Sequence, residues 1–232
     1  MKKNITFALL TAVAVTSASA VQYNQNITAI FGGGNPDTGW TTETAGGITL
    51  GLRAKDRTSG ATPNVDGVYT FATAPAPRGL WNYEFSINSG TAPLTAYTFL
   101  LSVDNDSSLG TSFTTINPLT YWGDNFYGTA ATGNGLGDEG LFAVLGGNNQ
   151  IAQNSQNITF GDYPGGAMPL ELNATYDYIL TALDQAGNTI ASVSIQVVVG
   201  NGGARVPDAG STFAFLGAGL AALAGLRRKL SL

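Results

Sequence analysis

The sequence predicts an all-β protein, an antiparallel β-sandwich of the Ig-like or jelly-roll type. Three observations support this prediction. Apolar and polar residues alternate in several short segments, and turns rich in Gly, Pro and Asn separate these segments. Residues 21–205 also contain no sustained apolar stripe of helical period. A chain of about 180 residues can bury a substantial core as one unit. We therefore expect residues 21–200 to form a single β-sandwich domain.

The beginning of the chain has the order of features typical of an export signal. Lys2 and Lys3 carry positive charge, residues 5–15 are apolar, and Ala18-Ser19-Ala20 fits a cleavage site for signal peptidase. We expect residues 1–20 to be a helical signal peptide that directs Sec export and is removed after Ala20.

The clearest predicted strand covers residues 80–88. Its aromatic and aliphatic residues occupy every second position, and Glu84 belongs to the polar positions between them, which predicts one solvated face. Further strands are expected at residues 48–55, 97–103, 176–183 and 190–199, and weaker ones at residues 23–31, 67–72, 141–145 and 157–160.

The loop at residues 184–188 contains Gly187 and predicts a hairpin between the last two strands. With its leading Tyr176, Asp184 and the Gly187-Asn188 turn, this segment resembles the closing hairpin of bacterial Ig-like domains. The resemblance implies a fold and no activity.

The chain has no histidine and no cysteine, which removes Ser-His-Asp triads, thiol nucleophiles and the usual zinc sites. Residues 21–205 hold five basic and 14 acidic residues, a net charge of −9, which argues against binding to nucleic acid. We expect no enzymatic activity. The alternative is a glycoside hydrolase that uses Glu84 with a second carboxylate. Arg53, Lys55 and Arg57 are expected to line an exposed strand edge.

Oxygen-bearing side chains follow the strand at residues 97–103. Asp104, Asp106 and Ser108 stand at alternate positions, as the ligands of a calcium loop do. Leu109 and Thr115 depart from the EF-hand pattern. Two interpretations stay open: a calcium site, or an Asx-rich turn with no cofactor.

Aromatic residues are densest at residues 121–127. Tyr121, Trp122 and Asp124 combine rings with a carboxylate, a combination that suits sugar binding. The alternative is a strand that buries Trp122 and Phe126.

The chain ends with the features of a membrane-directed tail. A Gly-rich tether at residues 201–205 precedes Val206-Pro207-Asp208-Ala209-Gly210, an uncharged apolar run follows at residues 211–226, and Arg227-Arg228-Lys229 comes next. We expect the run to form a transmembrane helix of roughly 24 Å, somewhat shorter than a hydrocarbon core of about 30 Å. The three cations should keep the carboxyl end in the cytoplasm.

Residues 206–232 together resemble the PEP-CTERM class of sorting signals, closest to the VPDSG variant, with Ala209 in place of its serine. The resemblance implies an exosortase-like processing enzyme as partner, transient inner-membrane anchoring, and a final place at the outer cell surface or in a biofilm matrix. The expected function is therefore that of a non-enzymatic exported surface or matrix protein. A carbohydrate-binding module of the exopolysaccharide matrix, with polysaccharide as a further partner, is the alternative.

Overall fold

The computed structural model describes residues 20–58, 60, 62–72 and 80–204. The expected signal peptide, apart from Ala20, lies outside these residues, as do the sorting motif, the apolar run at residues 211–226 and the basic cluster. The described part contains twelve strands, two one-turn α-helices and a 3-10 helix at Leu94–Ala96. The strands and α-helices are β1 (Gln22–Gln25), β2 (Trp40–Ala45), β3 (Ile48–Asp56), β4 (Val68–Phe71), β5 (Trp81–Asn88), β6 (Thr98–Asp104), β7 (Phe113–Ile116), α1 (Pro118–Tyr121), β8 (Asn125–Gly128), β9 (Asp138–Gly140), α2 (Phe142–Leu145), β10 (Ile151–Gln156), β11 (Ala174–Leu183) and β12 (Thr189–Val199).

The strands form two sheets. One has seven strands in the order β1-β2-β3-β5-β10-β8-β9, and the other has five in the order β4-β12-β11-β6-β7. The predicted all-β class is confirmed, but the purely antiparallel pairing is wrong, because β4 runs parallel to β12. The predicted hairpin is confirmed: β11 pairs with β12, and the amide of Asp184 donates to the carbonyl of Asn188 over 2.9 Å.

The main core lies between the inner faces of the two sheets, where β3 faces β11 and β12. The alternating apolar residues predicted for the strong strands all point into it, including Tyr83 of β5 and Tyr178 of β11, whose rings stack at 4.6 Å. The period-2 pattern therefore located the inner face correctly.

Two of the weaker predicted strands are wrong. Residues 141–145 contain the helical turn α2, because Phe142 and Leu145, three positions apart, pack against the core while Val144 is exposed. Residues 157–160 form a turn in which the Asn157 side chain accepts from the amide of Thr159. The strand at residues 23–31 ends at Gln25.

The outer face of the seven-stranded sheet is covered, contrary to the prediction of a solvated face on β5. Residues 26–38, here called the covering segment, lie on this face and form a second apolar cluster with Trp40 of β2. Glycine at position 51 makes room for it, since a Cβ there would lie 2.6 Å from the Ile27 side chain. Polar residues of the outer face are consequently buried between the sheet and the covering segment; Glu84, Ser86, Arg53 and Gln153 are all at most 2% exposed.

Candidate functional site

A buried ion pair lies beneath the covering segment. The Arg53 Nε donates to Glu84 Oε2 over 2.5 Å, Lys55 Nζ stands 3.4 Å from Glu84 Oε1, and Ser155 donates to the same oxygen over 2.9 Å. Glu84 is fully buried, so its carboxylate cannot reach a polysaccharide, and the predicted solvated position of Glu84 is wrong. The predicted exposed edge is also wrong for Arg53, because β3 lies between β2 and β5 inside the sheet.

The same arginine binds the covering segment to the sheet. Its Nη1 donates to the carbonyls of Pro36 and Thr38 over 2.6 and 2.8 Å, and its guanidinium carbon lies 4.2 Å from the centre of the Trp40 ring. Lys55 donates to the side chain of Asn35. These charged side chains therefore have a structural use: they fix residues 35–38 against the sheet.

The predicted calcium ligands serve as turn-forming acceptors. Asp104 is buried, and its Oδ1 accepts from the amides of Asp106 and Ser112 over 3.0 and 2.8 Å. Asp106 accepts from the amide of Ser108, whose own hydroxyl accepts from Gly110. Among the described residues there is no cluster of three or more carboxylates that would hold a metal ion. This geometry is that of the Asx-rich turn.

A further carboxylate, Asp177 of β11, lies close to this turn. Partial burial raises the pKa of Asp177 above 3.8, and the nearby charge of Asp104 raises it further, while a hydrogen bond from Gln196 counteracts both. A divalent cation between the two carboxylates would have the opposite effect on that pKa. This proximity could not be predicted from the sequence, since 73 positions separate Asp104 from Asp177.

The three residues predicted to bind sugar do not share one surface. Trp122 is 3% exposed, and its ring stacks on Phe85 in the core with the centroids 6.1 Å apart. Tyr121 is 45% exposed, and Asp124 is exposed but accepts a hydrogen bond from Asn154. The alternative prediction is confirmed for the burial of Trp122, although β8 begins only at Asn125 and Phe126 is partly buried. No ring face of Trp122 is open to a sugar.

A cleft of about 310 Å³ opens at one end of the covered face, away from these residues. Its walls are the start of the covering segment and the loop after β8, and its floor is formed by side chains of β3, β5 and β10. The lining consists of uncharged residues only: Asn26, Ile27, Thr28, Ile30, Thr49, Ser86, Asn88, Thr129, Ala130, Thr132 and Ile151. Since they come from five distant segments and form no motif, sequence reasoning could not have found this site.

No helix in the described part of the chain is long and apolar enough to cross a bilayer.

The chain has no significant match among curated proteins. Residues 205–230, however, match the family model of the VPDSG-CTERM motif, over the segment in which the motif, the apolar run and the basic cluster were recognised. The chain therefore carries a PEP-CTERM-like exosortase sorting tail.

Proposed function

We propose that this chain is a non-catalytic protein that an exosortase-type system sorts to the outer cell surface or the extracellular matrix. The match of residues 205–230 to the sorting motif carries the proposal. The export-signal features at residues 2–20 support it, because a sorting tail of this kind acts on a chain that has already reached the membrane.

The chemistry of the folded part supports a non-catalytic role. The chain lacks histidine and cysteine, and Glu84, the residue favoured for acid–base catalysis, is buried in an ion pair with Arg53. A glycoside hydrolase needs two carboxyl groups facing one open substrate site. The cleft, by contrast, has no carboxyl group in its lining.

Carbohydrate binding is a second candidate function, and the cleft is the observation that favours it. The predicted site at residues 121–124 supports it poorly, because the Trp122 ring is buried. The cleft offers hydroxyl and amide groups at an open surface.

The sorting role is tested by removing residues 206–232 in the native cell. We expect the truncated protein to lose surface retention completely, because nothing then holds it at the membrane for processing. Cell fractionation followed by immunodetection measures this. A matched control replaces Arg57, a cation in the folded part, with glutamine and should leave retention unchanged.

Intact-mass spectrometry of the native protein provides the second readout. We expect a chain that starts at Val21 and ends between residues 204 and 210. A mass corresponding to residues 21–232, or a truncated protein that is retained as well as the natural one, would contradict the proposed sorting.

A further inference from the structure

We infer that the cleft lined by Asn26, Thr28, Asn88 and Ala130 is a binding site for a neutral, hydroxyl-rich ligand, a short segment of uncharged glycan. This inference rests on carbohydrate binding, the second candidate function, and deepens it by naming an uncharged glycan as the ligand and the groups that would bind it. It rests on the lining, on the unpaired hydrogen-bonding groups and on the rigidity of the walls.

The lining determines the class of ligand. It has no acidic and no basic side chain, so a charged ligand would lose hydration without gaining a counter-charge. Side chains of Ile27, Ile30 and Ile151 give it apolar surface between the polar groups. A sugar ring presents both C–H faces and hydroxyl edges, so it matches this mixture better than a purely apolar molecule does.

Several polar groups of the lining have no hydrogen bond within the described residues. The side chain of Asn26 and the hydroxyl of Thr28 are two of them, and both residues are exposed. The Asn88 side chain uses its oxygen to accept from the amide of Gly90, which leaves its NH2 group free to donate. Amide and hydroxyl groups can donate to and accept from neighbouring sugar hydroxyls.

The wall from the covering segment is held rigidly in place. Gln153 is fully buried; its oxygen accepts from the amide of Ile30 over 2.8 Å, and its nitrogen donates to Thr28 O and Ser86 Oγ, each over 3.0 Å. Because all three hydrogen bonds are made within the protein, this wall is preorganised before a ligand binds.

The opposite wall, residues 129–137, is joined to the first. The amides of Gly135 and Gly137 donate to the carbonyls of Ala29 and Ile30 over 2.9 and 2.8 Å. At its start the loop folds back over Gly128, where a Cβ would lie 2.7 Å from the Thr132 hydroxyl. The two walls therefore form one connected unit around the opening.

The size of the cleft agrees with this ligand class. A volume of about 310 Å³ lies at the small end of the range of roughly 300–1,000 Å³ found for small-molecule sites. Because the cleft is open to solvent, a longer chain could continue beyond it. We therefore expect the cleft to hold a short segment of a polymer.

The test uses the full chain in a detergent without a sugar head group. Cellotriose, maltotriose and chitotriose are the neutral probes, trigalacturonate is the charged comparator, and isothermal titration calorimetry measures binding. We expect at least one neutral probe to bind, and Asn26→Ala/Asn88→Ala to bind it at least about tenfold more weakly, since two hydrogen-bonding groups are lost.

Two more variants locate the site. Ala130→Trp places a large side chain at the exposed rim and should abolish binding, and an unchanged thermal unfolding midpoint shows that the protein still folds. Tyr121→Ala changes the exposed ring of the other candidate site and should leave the affinity unchanged.

Other results would overturn the inference. The first is that none of the three neutral probes binds at millimolar concentration, and the second is that trigalacturonate binds equally well or more tightly. The third is that Ala130→Trp keeps full affinity. The fourth is that Tyr121→Ala loses affinity while Asn26→Ala/Asn88→Ala does not. Because the measurement uses purified protein, none of these results bears on the proposed sorting, which is tested in cells.

Discussion

Replacing Glu84 with glutamine is expected to lower the free energy of unfolding by about 3–5 kcal/mol. The substitution leaves the guanidinium of Arg53 without its anionic partner at a position only 1% exposed to solvent. It also removes the charge that faces Lys55. Urea denaturation followed by tryptophan fluorescence measures the effect, since all three tryptophans, Trp40, Trp81 and Trp122, are buried.

Two variants separate the ion pair from a general effect of losing a carboxylate. Glu139→Gln changes an exposed glutamate of β9 and should shift the free energy of unfolding by less than about 0.5 kcal/mol. Arg53→Met/Glu84→Gln removes both charges of the pair and should be more stable than Glu84→Gln alone, because no unpaired guanidinium remains buried. If the double variant were the less stable of the two, the explanation by an unpaired arginine would be wrong.

The error about Glu84 shows where reasoning from a single strand fails. The alternation of β5 correctly placed Tyr83 and Phe85 towards the core, because an apolar face must be buried. Whether the other face is exposed to solvent depends on which segment packs against it. Here it is the covering segment, whose glycine- and proline-containing sequence has no apolar periodicity from which its position could be predicted.

Strands that are covered on both faces are difficult to predict for a related reason, because their polar residues can be buried against another segment. β10 reads Ile-Ala-Gln-Asn-Ser-Gln, a sequence that resembles a surface loop, yet Gln153 is fully buried because its amide binds the covering segment. The sugar-binding interpretation of Tyr121, Trp122 and Asp124 missed a different fact: Trp122 lies between α1 and β8, yet its ring packs on Phe85 in the core. The sorting tail was recognised because its features are contiguous in sequence and need no tertiary context.

Burial of tyrosines in the core has a further consequence for stability. Loss of hydration raises the pKa of Tyr69 and of Tyr176 from 10.0 to about 12, and it raises the pKa of Tyr83, Tyr163 and Tyr178 as well. In every case the folded protein favours the neutral phenol over the charged phenolate. These tyrosines therefore link folding to alkaline pH.

We expect the free energy of unfolding to fall steeply as the pH rises from about 10 to 12. The unfolded chain releases phenol protons near pH 10, whereas folded Tyr69 and Tyr176 keep theirs until about pH 12, so the unfolded state binds fewer protons in this window. At about 1.4 kcal/mol per pKa unit, each of the two contributes on the order of 2–3 kcal/mol. Urea denaturation at a series of pH values measures the loss, and phenolate absorbance reports the coupled titration.

Tyr176→Phe and Tyr69→Phe provide matched controls for this linkage. The Tyr176 hydroxyl has no hydrogen-bond partner within the described residues, so its removal should change stability little at neutral pH while reducing the alkaline loss by on the order of 2–3 kcal/mol. The Tyr69 hydroxyl donates to Gly39 O over 2.6 Å, so Tyr69→Phe should already cost about 1–3 kcal/mol at neutral pH. An alkaline loss in Tyr176→Phe as large as in the natural protein would show that Tyr176 does not titrate with unfolding, and that its hydroxyl is hydrated in the folded state.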